Sequence, residues 1–504
     1  MRTIIPVLLL VAAALPVSGA VTITREKADE MMGQLQKDPW LVNKDASQLA
    51  WAEAAVLSGI VDMYEATGDP KYLSVLLQRG DQMLSHRDDR RGVKDWTGKV
   101  HKAWSMGIKY TVAEGTLCDA SGRDIIRLRS TPYAYNNQTR VQVSVRGRVF
   151  VLKVTNDYWK RTETFSDLST DPASPRYFER IINNPAPTPG VSAGECTEIS
   201  QLIKAIPLVK GSSLPRTQQV TLKSLTLAYV GYLGIVYYPL LRFAEIVRAD
   251  ESLKEFAPAA DRFIKAADES YEEAKGHFRN GPGKDEGYYI TCERGGPFPY
   301  DNLPEPFNYL GMHVSSELAL YRLIGKAFYL DQATRMANLF KNRLKLVDGD
   351  RYVWYYWYEP LNTGYSREDH LSDNYPIMAP KPIIEDNSHA TLNVQLVLNA
   401  GRAGVVFDET DMQRVATTFL KNIYRPGEVK FNTRVDGSGG AVKYDNTGIT
   451  GWLPLAEIDP AVYDACKAVY IGRGRDSFTA LARLLKWEKL LSNRSDRSEK
   501  SDTP

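Results

Sequence analysis

Met63-Tyr64-Glu65-Ala66-Thr67-Gly68-Asp69-Pro70-Lys71-Tyr72-Leu73 and Leu320-Tyr321-Arg322-Leu323-Ile324-Gly325-Lys326-Ala327-Phe328-Tyr329-Leu330 carry one pattern, with Tyr, Gly, Tyr and Leu at the same offsets. Each begins as a helix, breaks at Gly and resumes with an aromatic-aliphatic start. Before the first break, Leu49, Ala52, Ala55, Val56, Ile60 and Met63 recur at helical spacing, with Ser47 as a cap. After it, Leu76, Leu77, Met83 and Leu84 continue the apolar face. A helical hairpin cannot bury its apolar face alone, so repeated hairpins must stack as a solenoid or a closed ring. Helical patterns also occupy about 225–248, 257–275, 411–422 and 477–491. The expected fold class is therefore mainly α, an α/α toroid with a small β-containing insertion. That insertion is placed at about 105–190, where Val141–Thr155 reads VQVSVRGRVFVLKVT, an alternating pattern broken at Gly147 as in a hairpin. Pro185–Gly190 closes it as a loop, and it is expected to bury little core alone.

The ends and the composition bound the rest. Arg2, the apolar run Ile4–Ala14 and the small residues Val17–Ala20 read as a secretory signal, too short to span a bilayer. Residues 21–491 are the expected catalytic domain, and 492–504 a disordered polar tail. The mature chain is expected to be secreted or periplasmic, with no membrane span. A net charge of +2 offers no basic field for nucleic acid. Cys118, Cys196, Cys292 and Cys466 allow three disulfide pairings, and none has zinc-ligand spacing, so no metal and no cofactor is expected. The absence of GxSxG, P-loop and HExxH patterns argues against serine hydrolases, nucleotide enzymes and zincins.

Polar and aromatic residues concentrate between Tyr288 and His389. Pro299–Asn308, with Tyr300, Asn302 and Asn308, is an extended loop leading into a helix that carries His313. His313 is either a site residue or a core histidine among Leu310, Met312 and Val314. Tyr352, Trp354, Tyr355 and Trp357 belong to an aromatic run suited to stacking on sugar rings, or to a core strand. Tyr365–Pro376 is a polar loop holding Arg367 and Tyr375. Glu385-Asp386-Asn387-Ser388-His389 opens a helix; capping explains its acids but not His389.

The hairpin WAEA…YEATGDPKYL, the Pro/Asn loop before a helix, the YVW stretch and EDxSHA together resemble α/α-toroid carbohydrate enzymes, nearest polysaccharide lyase family 38, which acts on glucuronan and alginate. The resemblance covers most of 45–110 and 230–440. It implies β-elimination on a uronic-acid polymer. One group neutralises the uronate carboxylate, a base takes the C5 proton, and an acid protonates the O4 leaving group. Asn308, Arg367, Glu385 and His389 are candidates for the first role; His313 and Tyr375 are candidates for base and acid, with Tyr300 and Tyr355 as rivals. Two other readings stand beside this one. A glycoside hydrolase would use Asp301 or Glu305 with Asp386, and a non-catalytic glycan-binding protein would need only the aromatics.

Overall fold

Gly68 and Gly325 have φ angles of 74° and 70°, and each donates its backbone N–H to the tyrosine four residues earlier, Tyr64 at 2.7 Å and Tyr321 at 2.8 Å. A Cβ at either position would meet nothing, so the dihedral rather than crowding calls for glycine. This computed structural model describes residues 21–37, 45–107, 110–131, 135–183, 200–209, 211, 213–442 and 446–501. The signal-like residues 1–20, the Pro185–Gly190 loop, Cys196 and residues 502–504 lie outside them. Residues 492–501, expected as a tail, continue the last helix. Cys118 and Cys292 are free thiols.

The main helices are α1 (Arg25–Lys37), α2 (Ala54–Thr67), α3 (Lys71–Ser85), α4 (Leu233–Ala249), α5 (Ala257–Ala274), α6 (Phe307–Ile324), α7 (Ala327–Lys341), α8 (Asn387–Arg402), α9 (Glu409–Thr418), α10 (Asn446–Trp452), α11 (Ala461–Gly472) and α12 (Phe478–Ser501). Helix α2 packs on α4, α4 on α6, α6 on α8, α8 on α10, α10 on α12, and α12 back on α2. Helices α3, α5, α7 and α9 each pack on the helix that precedes them. Small residues allow the closest crossings. A Cβ on Gly234 of α4 would lie 2.5 Å from the Met312 carbonyl carbon, and one on Gly311 of α6 would lie 2.6 Å from the Leu392 carbonyl oxygen. Helix α6 is thus enclosed by backbone on two sides, and almost all of its side chains from Phe307 to Leu320 are buried.

The mainly α expectation is overturned. The chain is mixed, 49% helical and 19% strand, and is not a pure α/α toroid. Strands β1 (Ala113–Cys118), β2 (Asp124–Ser130), β3 (Thr139–Arg146), β4 (Val149–Asn156), β5 (Arg161–Leu168), β6 (Ile203–Pro207), β7 (Gln218–Thr221) and β8 (Lys223–Ser224) form two antiparallel sheets, ordered β6-β2-β1-β8 and β5-β4-β3-β7. Inward residues of both, Leu117, Ile126 and Leu128 with Val143, Leu152 and Val154, share a core separate from that of the helices. The Gly147 hairpin is one corner of this sandwich. The expected insertion was too small for two physical reasons. Asp124-Ile-Ile-Arg-Leu-Arg alternates only weakly in sequence, and the sheet partners β6, β7 and β8 follow only after residue 200. Non-local pairing has no local pattern to announce it.

One buried charge cluster joins the first and last parts of the helical circuit. Asp62 of α2 is fully buried and meets Arg483 at 2.5 Å and Lys486 at 3.3 Å on α12, and Arg242 at 3.4 Å on α4. Glu65, one turn on, also pairs with Arg242, and with Lys486 at 2.6 Å. Burial alone would raise the Asp62 carboxyl, but Arg483, Lys486 and Arg242 outweigh it and hold it far below the usual carboxylate range. Removing one partner of such a cluster strands the others. Asp62→Asn is expected to destabilise the fold by about 3–5 kcal/mol at pH 7, read by urea denaturation. Because the folded pKa is depressed, the Asp62 contribution is complete above the unfolded value near pH 4 and is lost as pH falls toward the folded one. Asp62→Asn therefore also flattens the acid limb of the stability profile. An unchanged acid limb would show that the cluster does not hold the circuit.

Candidate functional site

Asp386 is the N-cap of α8, where its Oδ1 accepts from the Ser388 and His389 backbone N–H groups at 2.9 and 3.0 Å. Its other oxygen meets His389 Nδ1 at 2.5 Å, so the residue that starts the helix also fixes the imidazole. With Nδ1 donating to that carboxylate, Nε2 is the acceptor of the neutral imidazole. Burial alone would raise Asp386; hydrogen bonding to His389 and its charge reverse this and hold it at about 2.

Residues from other helix starts surround His389. Trp51, in the wide turn Leu49–Glu53 that leads into α2, faces it edge-on at 6.0 Å and is 37% exposed. Tyr356, from the loop before α8, lies 5.3 Å away. Tyr309, in the first turn of α6, is 5.9 Å from Trp51 and 5.7 Å from Tyr232, whose 3-10 turn leads into α4. The beginnings of α2, α4, α6 and α8 therefore meet at one end of the circuit, and each presents the positive end of its dipole there.

Three buried polar residues stand on or beside the same helix starts. Glu305 accepts from the Tyr229 hydroxyl at 2.7 Å, but its Oε1 has no partner, and burial pushes it up to about 8. Glu385 accepts from the Asp386 N–H at 2.9 Å; its Oε2 is unpartnered, and burial, helped by the Asp386 charge, raises it well above the carboxylate range. Neither side-chain polar atom of Asn308 has a partner. Burial thus disfavours the charged form of both glutamates, which lessens their repulsion of an anion. Glu385, Asp386 and His389 each offer one metal-ligand atom, all within 4.8 Å. The donor types suit a divalent cation.

The residues singled out in the sequence divide into four groups. Asn308, Glu385 and His389 stand at the start of α6 or at the start of α8. His313 does not share the partial exposure of His389. It is fully buried, its Nδ1 is 3.0 Å from the Tyr271 hydroxyl, and burial pushes it down to about 3, so it is a neutral core histidine. The aromatic run also departs from a cleft lining. Tyr352 is buried between Asp411 and Arg414, and Trp354 donates to Asn393 at 3.1 Å inside the core. Tyr355 pairs with Lys345, and Trp357 packs with Leu303, Leu361 and Tyr365. Arg367, Tyr375, Tyr300 and Asn302 belong to the loops facing the β sandwich. Arg367 is exposed, Asn302 braces Leu371 at 2.9 Å, and Tyr375 lies 5.5 Å from Tyr300.

Trp51, Tyr232, Tyr309 and Tyr356 were not singled out. Trp51 stands in the quoted WAEA stretch and Tyr356 in the aromatic run, but only the meeting of helix starts joins them to His389. No family model matches the chain, and no curated protein or solved structure matches it.

Glu305 generates a measurable pH effect. A carboxyl whose folded pKa is raised contributes stability that is complete below the unfolded value near 4.5 and is lost as pH rises toward about 8. Glu305→Gln keeps the acceptor for Tyr229 but cannot ionise. It is expected to be more stable than the parent chain at pH 9, with the advantage vanishing below pH 5, as followed by thermal melts. Parallel pH profiles for the two proteins would place Glu305 in a more polar setting than described.

Proposed function

We propose that the protein cleaves a uronic-acid-containing polysaccharide, of the glucuronan or alginate type, by β-elimination, acting outside the cytoplasm. The observation that carries this reading is the Asp386–His389 pair, with Trp51 and Tyr356 packed against the imidazole where four helix starts converge. The aromatic walls offer stacking faces for a sugar. The helix starts favour an anionic group, and burial disfavours the charged forms of Glu305 and Glu385 that would oppose it. In this scheme Asp386 keeps the imidazole oriented, His389 Nε2 takes the C5 proton, and the helix starts stabilise the charge that develops on the uronate carboxylate. Tyr356 or Tyr309 returns a proton to O4. No metal or cofactor is required by these steps.

A glycoside hydrolase fits less well. It needs two carboxyls across the scissile bond. Asp301 is fully buried and accepts from Gly295, Ser372, Asp373 and Asn374, while Glu305 is sealed from solvent. Asp386 would be left without an accessible carboxyl partner among these candidates.

The test is incubation with polyuronates, reading both ultraviolet absorbance of an unsaturated uronide and new reducing ends. The expected outcome is absorbance that rises with the reducing ends, and a loss of roughly a hundredfold or more in turnover for His389→Ala with the fold intact. Reducing ends without absorbance would indicate hydrolysis. An unimpaired His389→Ala would remove the pair from the chemistry.

A further inference from the structure

The β sandwich and the helical body meet around a small pocket whose lining includes Lys204, Thr131, Asn374 and Tyr375. Lys204 projects from β6 and donates from Nζ to the carbonyls of Asp373 and Asn374, at 2.9 and 3.1 Å. An ammonium carries three donors, so one remains. The charges around it do not cancel. Arg129, Arg367, Asp301 and Asp373 all act on Lys204, and burial together with the two arginines lowers its pKa against the pull of the acids. Both acids have other duties. Asp301 holds the 372–374 loop through its two oxygens, and Asp373 pairs with Arg294 at 2.7 Å. Arg129 is likewise taken up by Glu114 at 2.6 Å. Lys204 and the exposed Arg367 are the cations left to meet a further anion. Tyr375 is 39% exposed beside them. From Tyr375, ring contacts run through Tyr300, the buried Trp357 and Tyr356 to His389 in steps of 5.5, 5.9, 4.9 and 5.3 Å, so the junction and His389 are joined through packed aromatics beneath the surface.

We propose that the surface around this small pocket is a distal subsite for an acidic sugar unit, with Lys204 and Arg367 meeting its carboxylate and Tyr375 its ring face. The inference rests on the reading of the chain as acting on polyuronates, and extends it to a polymer that reaches from His389 across the sandwich junction. It gives the β sandwich a part in holding the substrate.

The experiment measures binding of polyglucuronate and alginate oligosaccharides by calorimetry to the full chain carrying His389→Ala, so that no turnover is needed. Adding Lys204→Met, or in a separate protein Arg367→Ala, is expected to weaken binding of long oligosaccharides about tenfold, and to leave binding of a uronate disaccharide unchanged. Arg367 is on the surface, so its variant reports even if Lys204→Met disturbs the junction. Undiminished binding of long oligosaccharides by Arg367→Ala and by a folded Lys204→Met protein overturns the subsite, whatever His389 does in catalysis. Binding of uncharged glucose oligosaccharides with equal strength overturns it too. Binding that depends on these cations, in a chain that releases no unsaturated product from any polyuronate, upholds the subsite and removes the lyase reading.

Discussion

Asp62 lies 421 positions from Arg483, yet the two side chains touch inside the helical body. A carboxylate there would be costly to bury alone; with Arg242, Arg483 and Lys486 around it, its ionised state is the favoured one. The consequence is architectural. Apolar packing between helices is tolerant of small rotations, whereas three cations converging on one carboxylate specify how α2, α4 and α12 are turned. The circuit of helices closes at that point, and the positions of the other helix starts follow from it.

The same circuit explains the candidate site. No single segment carries it. Trp51, Tyr232, Tyr309 and His389 each stand within a turn or so of the start of a different helix, and the helices that carry them pack side by side, through the glycine crossings at Gly234 and Gly311 among others. Their N-terminal dipoles add at that end. Burial then does something that composition cannot. It raises Glu305 and Glu385 toward their neutral forms, so two glutamates near these helix starts hold their charge less readily than exposed carboxylates would. Asp386 stays ionised for the opposite reason, because the imidazole and the first N–H groups of α8 stabilise the charge.

The β sandwich is held to this body by polar contacts rather than by a shared core. Arg129 reaches the carbonyls of Gly295 and Gly296 at 2.9 and 2.7 Å, and Val112 donates to Pro297 at 2.7 Å. Asp301 organises the loop on the far side. A junction of this kind keeps cations near the surface that a hydrophobic interface would have excluded, and Lys204 is one of them.

By itself the sequence determined the local events. Gly68 and Gly325 interrupt their helices where a left-handed residue is required, Gly147 turns its hairpin, and Asp386 caps the helix that carries His389, because each depends on neighbours a few residues away. Periodicity found the helices but underweighted the sandwich, since β1 pairs with β8, as in Ala113 with Ser224, and β2 with β6, as in Ile126 with Pro207, far along the chain. His313, Tyr352 and Trp354 looked like site residues because of their chemistry, and only packing showed them in the core, bonded to Tyr271, Asp411 and Asn393. Trp51 and Tyr309 carried no mark in the sequence, yet Trp51 stands beside His389 and Tyr309 beside Trp51. Which face of a helix meets solvent is decided by what packs against it, and that is a property of the tertiary structure alone.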